Sequence, residues 1–153
     1  MEKVKLQAQY GLYINGEWRN ASDGATYNAE SPADGSHLAV CAQGSREDVE
    51  AASAAAWEAF KTWKKTTPAQ RAALLNKIAD IIDANKEHLA MVESMDNGKP
   101  IRETMNVDIP MAAEHFRYFA GCILAEEGQA SVLNEQFLSI ILREPIGVVG
   151  QII

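Results

Sequence analysis

The chain has 153 residues, of which 47% are apolar and 23% charged, and a net charge of −7. This is enough polypeptide for one domain with a core, and the excess of acid argues against a nucleic-acid or anionic-membrane surface, both of which need clustered Lys and Arg. With no cationic-then-apolar leader and no apolar run near ~20 residues, no membrane is expected as a partner and the cytoplasm is the expected location.

Residues 1–10 are polar and read as a loose lead-in. Leu12-Tyr13-Ile14 and Glu17-Trp18-Arg19 flank Asn15-Gly16, a pair suited to a two-residue hairpin turn in which both central residues need φ > 0. A second strand is expected from Tyr27 to Glu30, a tight turn over Ser31-Pro32-Ala33-Asp34-Gly35, and a returning strand over His37 to Ala42. Cys41 and Cys122 have neither ligand spacing nor the look of a disulfide framework, and are read as reduced structural thiols.

Helices follow. Ser45 with Asp48 three residues on is a capping pattern, and Val49, Ala52, Ala56, Phe60 and Trp63 continue at helical spacing. Thr67-Pro68-Ala69-Gln70 starts a second helix, with Thr67 as N-cap, Pro68 at the first helical position and Gln70 closing the box. Its expected buried stripe is Leu74, Leu75, Ile78, Ile81 and Ile82. A third helix, roughly Lys86 to Asp96, should stop at Asn97-Gly98 with Gly98 in the left-handed cap and Pro100 beyond. A fourth, roughly Ile101 to Glu127, contains Pro110, which costs about 3 kcal/mol in a helix interior. A break or kink is therefore expected near Val107 to Ile109, with a clean helix from Pro110 to about Leu124.

Next comes Phe137-Leu138-Ser139-Ile140-Ile141-Leu142, too apolar for a solvated sheet edge. It is either one more core strand or an arm that pairs with another subunit. The end of the sequence, Arg143-Glu144-Pro145-Ile146-Gly147-Val148-Val149-Gly150-Gln151-Ile152-Ile153, is apolar, β-branched and short, as in a strand buried on both faces. Such strands belong to parallel sheets covered by helices, so the fold class is α/β and the chain reads as the front of a larger protein.

Five strings in order then resemble one family: Y-I-N-G-E-W (residues 13–18), S-P-A-D-G (31–35), E-S-M-D-N-G-K-P (93–100), F-R-Y-F-A-G (116–121) and R-E-P-I-G-V-V-G-Q-I-I (143–153). Together they resemble the amino-terminal third of the NAD(P)-dependent aldehyde dehydrogenase superfamily, bacterial broad-substrate members most of all. The resemblance implies small β hairpins, a helical block and the first strand of an incomplete Rossmann-like sheet. Residues 1–128 would be the N-terminal part of the cofactor-binding domain, 129–145 an oligomerisation arm, and 146–153 the start of the sheet. It also implies oxidation of an aldehyde, a small-molecule substrate, to a carboxylate with NAD or NADP, through a cysteine thiohemiacetal, in a dimer or tetramer.

The residues that would perform that chemistry are not matched here. Neither Cys41 nor Cys122 fits the nucleophile's motif, and Gly147 and Gly150 do not form the pyrophosphate-binding turn, so the chain alone is expected to be inactive. By resemblance, Ile152 and Ile153 would line the adenosine-ribose part of the cofactor site, or serve only as core strand. Asp96, with the backbone carbonyls of Ala29 and Glu30, would hold a monovalent cation, or sit merely at a helix C-terminus. Val107 and Met111 would line the substrate tunnel, or be plain core. The run Phe137 to Leu142 corresponds to the arm that pairs across subunits. His115 is read as a surface or interface residue, and Lys99 and Arg117 as ion-pair residues. Competing readings are a non-catalytic truncated product acting by subunit pairing and a free-standing helical binding module.

Overall fold

The computed structural model of the protein describes residues 4–152. The lead-in is less loose than its polarity suggests: β1 (Gln9–Tyr10) pairs in parallel with Val40 and Cys41. Next, β2 (Leu12–Ile14) turns back on β3 (Glu17–Arg19), with Asn15 at φ 55° and Gly16 at φ 83°. These are the left-handed conformations that a two-residue hairpin demands. Tyr13 and Trp18 are register partners, and their rings lie 5.0 Å apart. β4 (Thr26–Glu30) and β5 (His37–Ala42) pair antiparallel, giving a three-stranded sheet of order β1-β5-β4.

Gly11 lies between β1 and β2, where a side chain has no room: a Cβ there would come 2.6 Å from the Arg19 carbonyl oxygen. Backbone cannot swing aside as a flexible side chain can. Gly11→Ala is therefore expected to push β2 off β3 and lower stability by about 1–3 kcal/mol. The midpoint of urea denaturation reads this, and an unchanged midpoint would refute it.

The helix starts follow the capping chemistry. Ser45 caps α1 (Arg46–Trp63) and Thr67 caps α2 (Pro68–Ala84), each with the reciprocal side-chain bond from Asp48 and Gln70. Gly98, at φ 76°, ends α3 (Lys86–Asn97). After Pro100 come a single turn, α4 (Ile101–Glu103), a π-helical stretch over Thr104–Asp108, and α5 (Ile109–Leu124). The break expected near Val107 to Ile109 is thus a widened turn. Pro110 offers no N–H and its ring crowds the carbonyl four residues back, and a π-turn absorbs both problems without ending the helix. Thr104 is fully buried here, and its hydroxyl lies 2.9 Å from the Ala90 carbonyl oxygen and 2.9 Å from Ser94 Oγ.

The core differs from the expected stripe. Among the described residues its buried apolar side chains are nearly all alanines: Ala72 and Ala79 on α2, Ala90 on α3, Ala113 and Ala120 on α5, with Ile109 the one larger side chain. On α2 and α5 the alanines recur seven residues apart, so small side chains share one face of each helix and the two helices pack closely. The rotation that buries them turns Leu74 and Ile81 out to solvent, along with Val49, Trp57 and Trp63 of α1. Arg117 of α5 fastens the same pair of helices, donating to Asp80 at 2.8 Å and Asp83 at 2.7 Å.

The later strands also depart from one expectation. The run 137–142 is not a core strand: β6 (Gln129–Asn134) and β7 (Phe137–Ile141) form a hairpin that pairs with no other strand among the described residues. Val132–Leu138 and Ala130–Ile140 are register partners, so one face of the hairpin is apolar, and Val132, Leu138 and Ile140 on it are exposed. Over its described part, residues 146–152, the strand expected at 146–153 is not formed. Residues 142–152 are irregular, because a strand exists only through its hydrogen-bonded neighbours and none lies beside them among the described residues. Ile153 falls outside the described residues.

Candidate functional site

Two local regions gather the residues singled out from sequence. The first is the joint between the π-turn and α5. Val107 and Met111 stand four residues apart and so share one face, and both are exposed, at 41% and 45%. They are not core. His115, one turn further along, is exposed as well. The π-turn is held in place behind them by the buried Thr104 hydroxyl and by Lys99, whose Nζ lies 2.7 Å from Asp108 Oδ2. An apolar wall with a rigid back and an open front can line a channel for an apolar substrate, but Val107 and Met111 themselves have no group able to move a proton or attack a carbonyl.

The second region joins the end of β4 to the end of α3. Gly98 packs against the turn after β4: a Cβ on it would sit 2.9 Å from Pro32 Cγ. That contact brings Asp96 toward the strand carrying Ala29 and Glu30. The Tyr27 phenol in the same strand is held above its ordinary pKa, chiefly by the Cys41 thiol and also by the negative charge of Asp96. The regular register of the sheet breaks between Ala29 and Glu30. Backbone carbonyls plus one carboxylate are the donor chemistry that a hard cation takes.

Ile152 is fully exposed, at 101%, in the irregular stretch that follows the hairpin. Gly147, at φ 126°, lies directly on the Trp57 ring, where a Cβ would come 2.8 Å from the indole. Sequence gave no hint of this contact, since nothing local links residues so far apart. The stretch offers an apolar surface for a cofactor but no strand-to-helix turn to cradle a pyrophosphate. The residues present therefore do not by themselves make a dinucleotide site.

Neither cysteine is set up as a nucleophile. Cys41 is half-buried in the sheet beside Tyr27, and Cys122 is exposed on α5, where it raises the pKa of its neighbour Tyr118. Among the described residues no group of three or more His, Cys, Asp or Glu side chains could hold a metal. A cavity of about 500 Å³ lies between the α1–α2 turn and the base of the hairpin, walled by Trp63, Ile141 and Leu142. Three of its charged side chains are already engaged: Arg143 Nε is 2.8 Å from Glu126, and Arg71 donates to the Thr66 carbonyl.

The sequence pattern of the Aldehyde dehydrogenase family matches residues 18–153. The chain belongs to the aldehyde dehydrogenase family. It is 47% identical over 151 residues to the long-chain-aldehyde dehydrogenase of Acinetobacter sp, covering 99% of this chain and 30% of that protein. An aldehyde dehydrogenase of Vibrio cholerae is 48% identical over 150 residues, covering 98% of this chain and 30% of that protein. Among solved structures, PnpE in complex with nicotinamide adenine dinucleotide superimposes with a TM-score of 0.86 at 40% identity, covering 90% of this chain and 28% of PnpE. The indole-3-acetaldehyde dehydrogenase AldA of P. syringae, solved with NAD+ and IAA, gives 0.88 at 32% identity, covering 93% and 29%. The chain thus spans about 30% of the length of the curated relatives it matches, and its mixed α/β fold is that of the N-terminal portion of aldehyde dehydrogenase structures. No helix among the described residues is long and apolar enough to cross a membrane.

Proposed function

We propose that this chain is the N-terminal part of an enzyme that oxidises an aldehyde to a carboxylate with NAD or NADP, through a cysteine thiohemiacetal formed on polypeptide other than these 153 residues. One observation carries the reading: identity of 47–48% to named aldehyde dehydrogenases across almost the whole chain. Val107 and Met111 then form one wall of the aldehyde channel. Ile152 and Ile153 offer an apolar contact to the adenosine end of the cofactor. The domain division follows from the same reading: 1–128 in the cofactor-binding domain, 129–145 the arm, 146–153 the entry to the cofactor sheet. No step of the oxidation runs on a residue of this chain. Purified as it stands, the chain is expected to produce no NADH from NAD and an aliphatic aldehyde, while a polypeptide of the relatives' length carrying these residues turns over. Activity from the 153 residues alone would overturn the assignment.

The β6–β7 hairpin supports a second role, subunit pairing in a dimer or tetramer, because Val132, Leu138 and Ile140 stand exposed together on one of its faces. A truncated product acting only by such pairing uses the same surface and differs in producing no activity at any length.

The monovalent-cation site rests on Ala29, Glu30 and Asp96. Potassium or sodium, against a tetramethylammonium control at equal ionic strength, is expected to raise the melting temperature of the chain by a few degrees, and Asp96→Ala to abolish the difference. Equal melting in all three salts would remove the site.

A further inference from the structure

Burial along the run from α4 into α5 is out of step with a regular helix. Thr104 and Ile109 are both buried, yet they stand five residues apart. At 3.6 residues per turn, positions five apart lie about 140° round the axis from each other, and one of the two would face solvent. The π-turn removes the conflict. The Ile109 N–H reaches back five residues to the Thr104 carbonyl, which is the bond pattern of a widened turn. Beyond Ile109 the buried positions return to ordinary helical spacing at Ala113 and Ala120.

Thr104 holds this turn twice. Its carbonyl takes the Ile109 N–H, and its fully buried hydroxyl crosses to α3. The single hydroxyl proton goes to the Ala90 carbonyl oxygen at 2.9 Å, so Ser94 Oγ, also at 2.9 Å, is the donor to Thr104. On the outer side, Lys99 Nζ donates to Asp108 at 2.7 Å and Asn106 Nδ2 to the Arg102 carbonyl at 2.9 Å. Val107 lies inside the clamped turn and Met111 just beyond it, both exposed. The turn sets where they point, because one residue more or fewer in a helix rotates everything past it by about 100°.

We propose that Thr104 is a positioning residue for the aldehyde channel: its hydroxyl locks the π-turn to α3 and so fixes the angle at which Val107 and Met111 meet the aliphatic part of the substrate. The proposal rests on the reading of Val107 and Met111 as channel wall. A misplaced wall costs most to the substrate that covers most of it, so Thr104 governs the preference for long-chain over short-chain aldehydes.

Two variants test this. Thr104→Val keeps the shape and removes the hydroxyl, whereas Thr104→Ser keeps the hydroxyl. In the chain itself, hydrogen exchange over residues 104–109, read by mass spectrometry, is expected to quicken about tenfold or more in Thr104→Val. Thr104→Ser should exchange at the wild-type rate. In these residues joined to the remainder of the Acinetobacter relative, Thr104→Val is expected to lower kcat/KM for octanal at least about fivefold more than for acetaldehyde, mainly through KM. Thr104→Ser should restore the wild-type ratio. Unchanged exchange in Thr104→Val, or a loss of kcat/KM shared equally by the two aldehydes, overturns the proposal. Faster exchange in Thr104→Val, with no turnover by the joined polypeptide even without the substitution, supports the clamp and counts against the enzymatic reading.

Discussion

Replacing Asp48 with asparagine is expected to lower the melting temperature by roughly 5–10 °C at neutral pH, the largest loss from any single side chain here. Asp48 is 2% exposed and fastens three separate segments. Its carboxylate accepts from Ser45 N at 3.0 Å and from Ser22 N at 3.1 and 3.2 Å, and Arg19 Nη2 lies at 3.1 Å. It therefore joins the β2–β3 hairpin, the following loop and the start of α1. Asparagine keeps one acceptor and turns an amide N–H₂ toward groups that are themselves donors, so a buried mismatch replaces an ion pair.

The pH dependence fixes the cause. The Ser45 and Ser22 amides, then the Ser45 hydroxyl and Arg19, hold this carboxyl well below the usual carboxylate range despite its burial. A depressed folded pKa means that the unfolded chain takes up the proton first as pH falls. Asp48 therefore contributes its full stabilisation above the ordinary carboxylate range, about pH 5 and higher, and loses it as pH drops through about 4 and below. Melting curves of the wild type and Asp48→Asn should be well separated at pH 7 and draw together toward pH 3. A separation that is constant with pH would mean that shape, not charge, is what asparagine disturbs.

The difference between what was readable in the sequence and what was not follows the range of the interactions involved. Ser45, Thr67, Gly98, Asn15-Gly16 and Pro110 act within a few residues of themselves, and the caps, the turn and an interruption ahead of Pro110 are recoverable from spacing, although the π-helical form of that interruption is not. The identity of the core was not. Leu74 and Ala72 are both apolar and both recur at helical spacing along α2, and periodicity places an apolar stripe without saying which part of it meets a neighbour. The long-range packing of α2 on α5 decides that: it buries Ala72 and Ala79, leaves Leu75, Ile78 and Ile82 half-buried, and turns Leu74 and Ile81 outside. The terminal stretch shows the opposite limit. Val148 to Ile152 has the composition of a strand, but a strand needs a partner, and composition supplies none. At the candidate site, Val107 and Met111 were recognised by resemblance and prove to share an open face. The seat of Gly147 on Trp57 carried no local signal at all.

The hairpin gives the second large effect. Register places Val132, Leu138, Ala130 and Ile140 together on one face, and its large members lie at 78%, 60% and 58% exposure. The opposite face carries Ser131 and Ser139, and Ser139 is the one residue of the hairpin that is half-buried. That second face also carries Phe137 and Ile141, exposed at 62% and 53%, so the hairpin shows large apolar side chains to solvent on both of its faces. Burying Val132, Leu138 and Ile140 against a second copy removes enough apolar surface to contribute on the order of 5 kcal/mol per hairpin. That is sufficient to drive association at micromolar concentration once two hairpins meet and the cost of immobilisation is met. Leu138→Lys with Ile140→Lys puts two charges on this face while leaving the β6–β7 backbone pairing intact, and open β edges are protected in the same way elsewhere. Light scattering should then show the wild-type chain as an oligomer and the double variant at half that mass or less. A wild-type chain that is already a monodisperse monomer, or a variant of unchanged mass, would show that the apolar face of this hairpin does not hold copies of the chain together.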